Sequence, residues 1–156
     1  MAGGYQILEF IHILSSTLLF GTGLGSAFAM WHAHRTRDAH VIAAVARGVV
    51  LADWVFTTPA VVIQPATGAA LVMLLGYPWT TAWLLAALLL YLLVGACWIP
   101  VVWLQRRLRD LARRAADTGQ PLPPLYHRYY RIWFALGWPA FTGVVVIFWL
   151  MVFKPN

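Results

Sequence analysis

The sequence predicts an all-α fold, a polytopic membrane four-helix bundle, and three observations carry that expectation. Apolar residues make up 62% of the 156-residue chain and charged residues only 10%, against about 45 to 50% and about 25% in an average soluble domain. Mean hydropathy is +0.73. Four stretches, Tyr5 to Trp31, Val49 to Leu75, Thr80 to Leu104 and Ile132 to Phe153, each exceed the roughly 20 apolar residues that cross a bilayer. Runs such as Leu84 to Val94 do not alternate apolar with polar, which rejects a β-barrel. Helices that satisfy their own backbone are the remaining solution, and residues 1–156 form one transmembrane domain.

The first span carries Glu9, His12 and Ser16 at spacings of three and four, which places them on one helical stripe. On another flank Thr17, Gly21, Gly25 and Ala29 repeat every four residues. Such a ridge serves either close packing within the bundle or contact between copies. Ala27 and Ala29 around Phe28 resemble a signal-peptidase site, but the basic n-region is missing and Glu9 stands there instead, so the span is expected to be retained.

The second span carries Asp53, Thr57, Gln64 and Thr67, again on one stripe. Pro59 and Pro65 interrupt it, each deleting a donor and freeing the carbonyl four residues earlier, at Val55 and Val61. Counting from the loop between the two helices puts His12 level with Gln64 and Thr67. Asp53 then lies roughly 15 to 20 Å away, near Gly23 to Gly25. The third span offers only Tyr91 and Cys97 as interior polar side chains and is expected to face lipid over much of its circumference. The segment Gln120 to Pro124 reads as a stiff connector, and Pro139 between Gly137 and Gly143 reads as a kink in the fourth span.

Ten of the eleven basic residues fall in two connections, His32 to Arg47 and Gln105 to Arg131, and the other is Lys154. The positive-inside rule then predicts both arginine-rich loops in the cytoplasm and both termini outside, in a bacterial inner membrane. The net charge of +6 follows from topology and attraction to anionic lipid, so no nucleic-acid partner is expected. The bilayer is the expected environment, with a second copy or a larger membrane complex as the possible protein partner. His32, His34, His40 and His127 belong to loop boundaries.

Single Cys97 excludes an internal disulfide and any CxxC site. Glu9 and His12 form a Glu-x-x-His pair, but a carboxylate-bridged two-metal centre needs two such pairs and further glutamates, and Glu9 is the only glutamate. Met1, Met30, Met73 and Met151 do not cluster as a copper motif. A lone imidazole inside a helical bundle can still bind haem iron.

His12, Gly21 to Gly25 and the Trp31-His32 pair resemble the first helix of small bacterial membrane proteins related to the HemJ-type protoporphyrinogen oxidase and the CopD copper-resistance protein. The stretch from Asp53-Trp54 through Pro59-Ala60 and Gln64-Pro65 to Thr67-Gly68 is more specifically similar to a family of bacterial "predicted integral membrane proteins" in that group. The resemblance covers most of the chain. It implies a four-helix membrane fold and b-type haem, with His12 as axial ligand to the iron.

The resulting expectation is an intramembrane polar pocket around His12, with Glu9, Ser16, Gln64 and Thr67 completing it and haem b giving it a redox role. If the protein is an enzyme, it is then a haem-dependent membrane oxidoreductase. The competing expectation is non-enzymatic. In it Asp53, Thr57, Gln64 and Thr67 line a proton or small-solute route, or the chain is a structural subunit.

Overall fold

The computed structural model describes residues 2–155 and contains helices and no strands among them. Four helices, each long and apolar enough to cross a membrane, follow in order: α1 (Ala2–Thr36), α2 (Ala39–Leu75), α3 (Ala82–Thr118) and α4 (Pro124–Phe153).

The helices outrun their apolar spans. Both arginine-rich connections were expected as loops, yet most of each is helix, because Ala- and Arg-rich sequence such as Arg106 to Ala116 favours helix once a span has nucleated it. The first turn is confined to Arg37 and Asp38. Arg37 takes the left-handed conformation (φ 58°), and the Asp38 carboxylate caps α2 by accepting from the His40 and Val41 amides. At the other arginine-rich turn, Gly119 (φ 64°) closes α3. Extended Pro123 then sets Pro124 at the start of α4, as the stiff-connector expectation requires.

Within α2 one turn is π-helical, Asp53–Thr57. It lies directly ahead of Pro59, where the missing N–H breaks the α-ladder. The widened turn leaves both Asp53 and Thr57 buried, with the Thr57 hydroxyl donating to Asp53 Oδ1 at 2.9 Å.

α1 pairs with α2 along its length, and α3 pairs with α4 just as extensively. The two hairpins meet at their ends. At the arginine-rich end all four helices share a core built on Met30, Ile42, Leu108 and Tyr126. His34 caps it, stacked on Tyr130 with ring centroids 3.7 Å apart, so this histidine is packed rather than free in a loop. At the opposite end Val72, Trp83, Leu84 and Leu150 form a smaller cluster. Cations lie over aromatic rings at both ends, Arg35 over Trp31 and Arg107 over Trp103 at one, Lys154 over Tyr77 at the other. These are interface anchors of the kind that flank a hydrocarbon slab.

Much of α3 is exposed, as expected, and the small-residue ridge resolves to one of its two readings. α3 does expose Leu89, Leu92 and Ile99, but its other face is buried against α4 and includes Gln105. The small-residue ridge turns outward: Thr17, Gly21 and Gly25 are exposed, and a Cβ at either glycine would meet nothing. The tight approach within the bundle occurs instead at Gly143, where a Cβ would stand 2.7 Å from Val94 Cγ2.

Val94 is β-branched and has essentially one rotamer in a helix, so it cannot yield. Gly143→Ala is expected to lower stability by about 1 to 3 kcal/mol through overpacking, outweighing the roughly 1 kcal/mol helix gain. Thermal unfolding in detergent reads the loss, and adding Val94→Ala should restore most of it.

Candidate functional site

Two polar clusters lie inside the bundle. The first joins α1 to the outer half of α2. Gln64 Nε2 donates to His12 Nε2 at 3.1 Å, and His12 Nδ1 lies 2.9 Å from Thr67 Oγ1, whose own proton goes to the Ile63 carbonyl at 2.7 Å. With Thr67 donating to Ile63 and Gln64 donating to Nε2, the network assigns a neutral imidazole protonated on Nδ1. Ser15 closes the ring of contacts, its hydroxyl shared between Gln64 Oε1 and the His12 carbonyl. Glycine at 68 makes room for the ring, since a Cβ there would stand 3.2 Å from His12 Cε1.

Depth counting therefore placed His12, Gln64 and Thr67 together correctly. Two other expected members are elsewhere. Glu9 is beside Tyr5, one turn toward the N-terminus. Ser16 donates to the Ile13 carbonyl of its own helix at 2.7 Å, and its neighbour Ser15 takes the role expected of it. One residue is about 100° around a helix, which turns Ser15 to His12 and Gln64 and leaves Ser16 at the border of the cavity between the two hairpins.

This cluster bears directly on haem. Iron at His12 would need Nε2 released from Gln64, or Nδ1 from Thr67, and the ring packs on Gly68. The residues as arranged fit a helix-joining histidine and do not fit an axial ligand. Among the described residues no group of three or more His, Cys, Asp or Glu is placed to hold a metal ion.

The second cluster lies toward the arginine-rich end, around a cavity of about 530 Å³ between the two hairpins. Its walls are apolar and aromatic, with Phe20, Trp98, Trp138 and Phe141 among them. Its polar groups are few. Asp53, Gln105 and Trp133 all line it, and each is 5% exposed. Asp53 Oδ2, Gln105 Oε1 and Trp133 Nε1 are the buried side-chain atoms that lack a hydrogen-bond partner among the described residues. Orphaned groups of this kind cost about 1 to 3 kcal/mol each when nothing completes them.

Nearer the opposite end the cavity is bordered by Ser16, Gln64 and Tyr91. The Tyr91 hydroxyl donates to the Val61 carbonyl at 2.5 Å, the acceptor that Pro65 frees. The cavity also has a side opening. α1 and α4 touch little. Phe20 bridges them on Phe141 and Phe148, with centroids 5.0 and 5.5 Å apart. Beside this bridge the lining residues Leu24, Phe134 and Trp138 are exposed on the face where lipid would lie.

Sequence reasoning missed Gln105, Trp133 and Ser15. Gln105 opens the arginine run and reads as loop. Trp133 sits near a span end and reads as an interface anchor. A signal existed for Gln105 only, since it falls four residues from Val101 and three from Leu108 on one helical face.

The fold and site define a four-span integral membrane protein with a laterally open intramembrane cavity. The chain belongs to the family described as predicted integral membrane protein (DUF2269), whose model matches residues 6–155. No curated protein and no solved structure matches it.

Tyr91→Phe should cost about 1 to 3 kcal/mol by stranding the Val61 carbonyl. In a Pro65→Ala background the residue at 65 regains an amide that can reach Val61, so the same substitution should cost far less. Thermal unfolding of the four variants of this double-mutant cycle measures the coupling.

Proposed function

We propose that the protein binds an amphipathic lipophile, taken laterally from the bilayer into the cavity between its two hairpins. The observation that supports this most directly is the set of three orphaned polar atoms, Asp53 Oδ2, Gln105 Oε1 and Trp133 Nε1, around one end of an otherwise apolar space. A cavity of about 530 Å³ is within the usual range of small-molecule sites, which pair apolar walls with a few placed polar groups. In hydrocarbon those groups have no water to turn to, so a ligand head supplies what the protein withholds. The α1–α4 seam is the route, because it is the least packed side and opens toward lipid.

We further place the protein in a bacterial cytoplasmic membrane with its arginine-rich end toward the cytoplasm, on the strength of the arginine distribution. The polar end of the cavity is then in the cytoplasmic half. The solute-route alternative draws support from Asp53, Thr57 and Gln64 lining the same space, though Thr67 is turned to His12 instead. Haem b and the kinship with the HemJ-type and CopD group rest on His12 and the first-helix pattern. The absorption spectrum of protein purified from haem-replete cells tests them. With both imidazole nitrogens engaged, the expected spectrum has no Soret band, and a band abolished by His12→Ala would reinstate the redox reading.

Gly137 lines the cavity and a Cβ there would meet nothing. Gly137→Leu should therefore fill the space while leaving the fold intact or more stable by about 0.5 to 1 kcal/mol. Saturable quenching of tryptophan fluorescence by 12-bromododecanol in nanodiscs is expected for the wild type and not for this variant. Equal quenching in both would sink the proposal.

A further inference from the structure

The orphaned atoms are unequal in kind. Asp53 Oδ2 and Gln105 Oε1 are acceptors, and only Trp133 Nε1 is a donor. A ligand head that completes the two acceptors must bring hydrogen-bond donors. An unpaired carboxyl at membrane depth also needs a cation or a proton.

The protein supplies no cation there. Neither ion pair among the described residues, Arg109–Asp110 and Arg113–Asp117, involves Asp53. Arg106 is the basic residue that shares a space with it, lining one of about 90 Å³ together with Asp53 and Gln105. Its guanidinium lies instead over the Trp54 ring, 5.2 Å from the centroid. The polar groups lining these spaces are Ser16 and Ser26 from α1, Trp133 and Thr142 from α4, and Gln105, Arg106, Trp98 and Tyr91 from α3, the Tyr91 hydroxyl being committed to Val61. On α2 itself, Thr57 occupies only Oδ1. Asp53 is the one acidic side chain lining either space.

The walls add a second preference. Phe20, Trp98, Trp133, Trp138, Phe141 and Phe148 surround the space, and aromatic faces attract cations. An anionic head would face a second carboxyl, and a purely apolar guest would leave all the orphaned atoms unmet.

We propose that the cavity takes a lipophilic cation, a protonated amine on an apolar body, with Asp53 as its counter-ion and Gln105 Oε1 as a second acceptor. This rests on the lateral lipophile site proposed above. Because Asp53 also borders the smaller space beside Arg106, a proton from the arginine-rich end competes with the cation for the same carboxyl.

The test compares heads on one tail. Nanodisc-embedded protein is titrated with dodecylamine, dodecyltrimethylammonium and dodecanol, each carrying a bromine at the tail end so that the bound molecule quenches tryptophan, and saturable quenching is recorded. Dodecylamine is expected to bind about tenfold or more tightly than dodecanol. The quaternary cation, which has charge but no N–H, should fall between them. Asp53→Asn should bring the amine-to-alcohol ratio close to unity, and Gln105→Leu should erase the advantage of the amine over the quaternary cation. In the wild type, affinity for the permanent cation should fall as pH drops from about 7 to about 3, through the carboxyl range, an arm that needs no variant to fold. Dodecanol binding as tightly as dodecylamine, a ratio that survives Asp53→Asn, or a pH-independent affinity for the quaternary cation overturns the cation assignment while leaving the lipophile site standing. If none of the three binds saturably, both fall.

Discussion

Hydrocarbon offers no hydrogen bonds, so each polar group inside this bundle must be answered by another part of the chain. Most of the structure can be understood as the outcome of that constraint. His12 is answered on both nitrogens by Gln64 and Thr67, and the carbonyl freed by Pro65 is answered by Tyr91 across the gap between hairpins. Asp53 is half answered, with Thr57 donating to Oδ1 and Oδ2 left without a partner. The same rule that ties α1 to α2 at His12 thus exposes, by its failure at Asp53, where the molecule has something left to bind.

The two clusters invert the importance that sequence pattern assigns them. A histidine on a helix stripe with glutamate and serine suggests chemistry, yet here it joins two helices, and Gly68 exists beside it as clearance for the ring. Aspartate on the next helix reads as a lesser feature, yet it is the carboxyl that borders both internal spaces. The difference lies in the partners. Gln64 and Thr67 are on the paired helix at matching depth, whereas Gln105 and Trp133, which share the polar end of the cavity with Asp53, come from the other hairpin, and a sequence carries no pairing information between hairpins.

That same distinction explains what was legible. Span count, the level of His12 against Gln64, and the freed Val61 carbonyl follow from rise per residue and the missing proline donor, both local properties of one hairpin. Which flank of α1 faces inward was not legible, because Ser15 and Ser16 differ by one position and the apolar stripe of a lipid-exposed helix is no guide to its buried side. The outward turn of Gly21 and Gly25 has the same origin. Gln105 was hidden by its neighbours: an uncharged polar residue beside two arginines reads as loop until the helix is seen to continue to Thr118.

An apolar space this large would be expected to close, since a void forfeits dispersion contacts on every wall. Here the hairpins are propped apart. Cores at both ends hold them together, while Phe20 against Phe141 and Phe148 sets a fixed separation along the seam. Gly95 and Gly137 contribute no side chain to fill the middle. Collapse would also bring Asp53 against the rings of α4 with no donor for Oδ2 beyond the single Trp133 N–H. A clamp at each end and an unanswered carboxyl between them together favour an open centre, and in a bilayer the molecules at hand to occupy it are amphipathic ones arriving sideways.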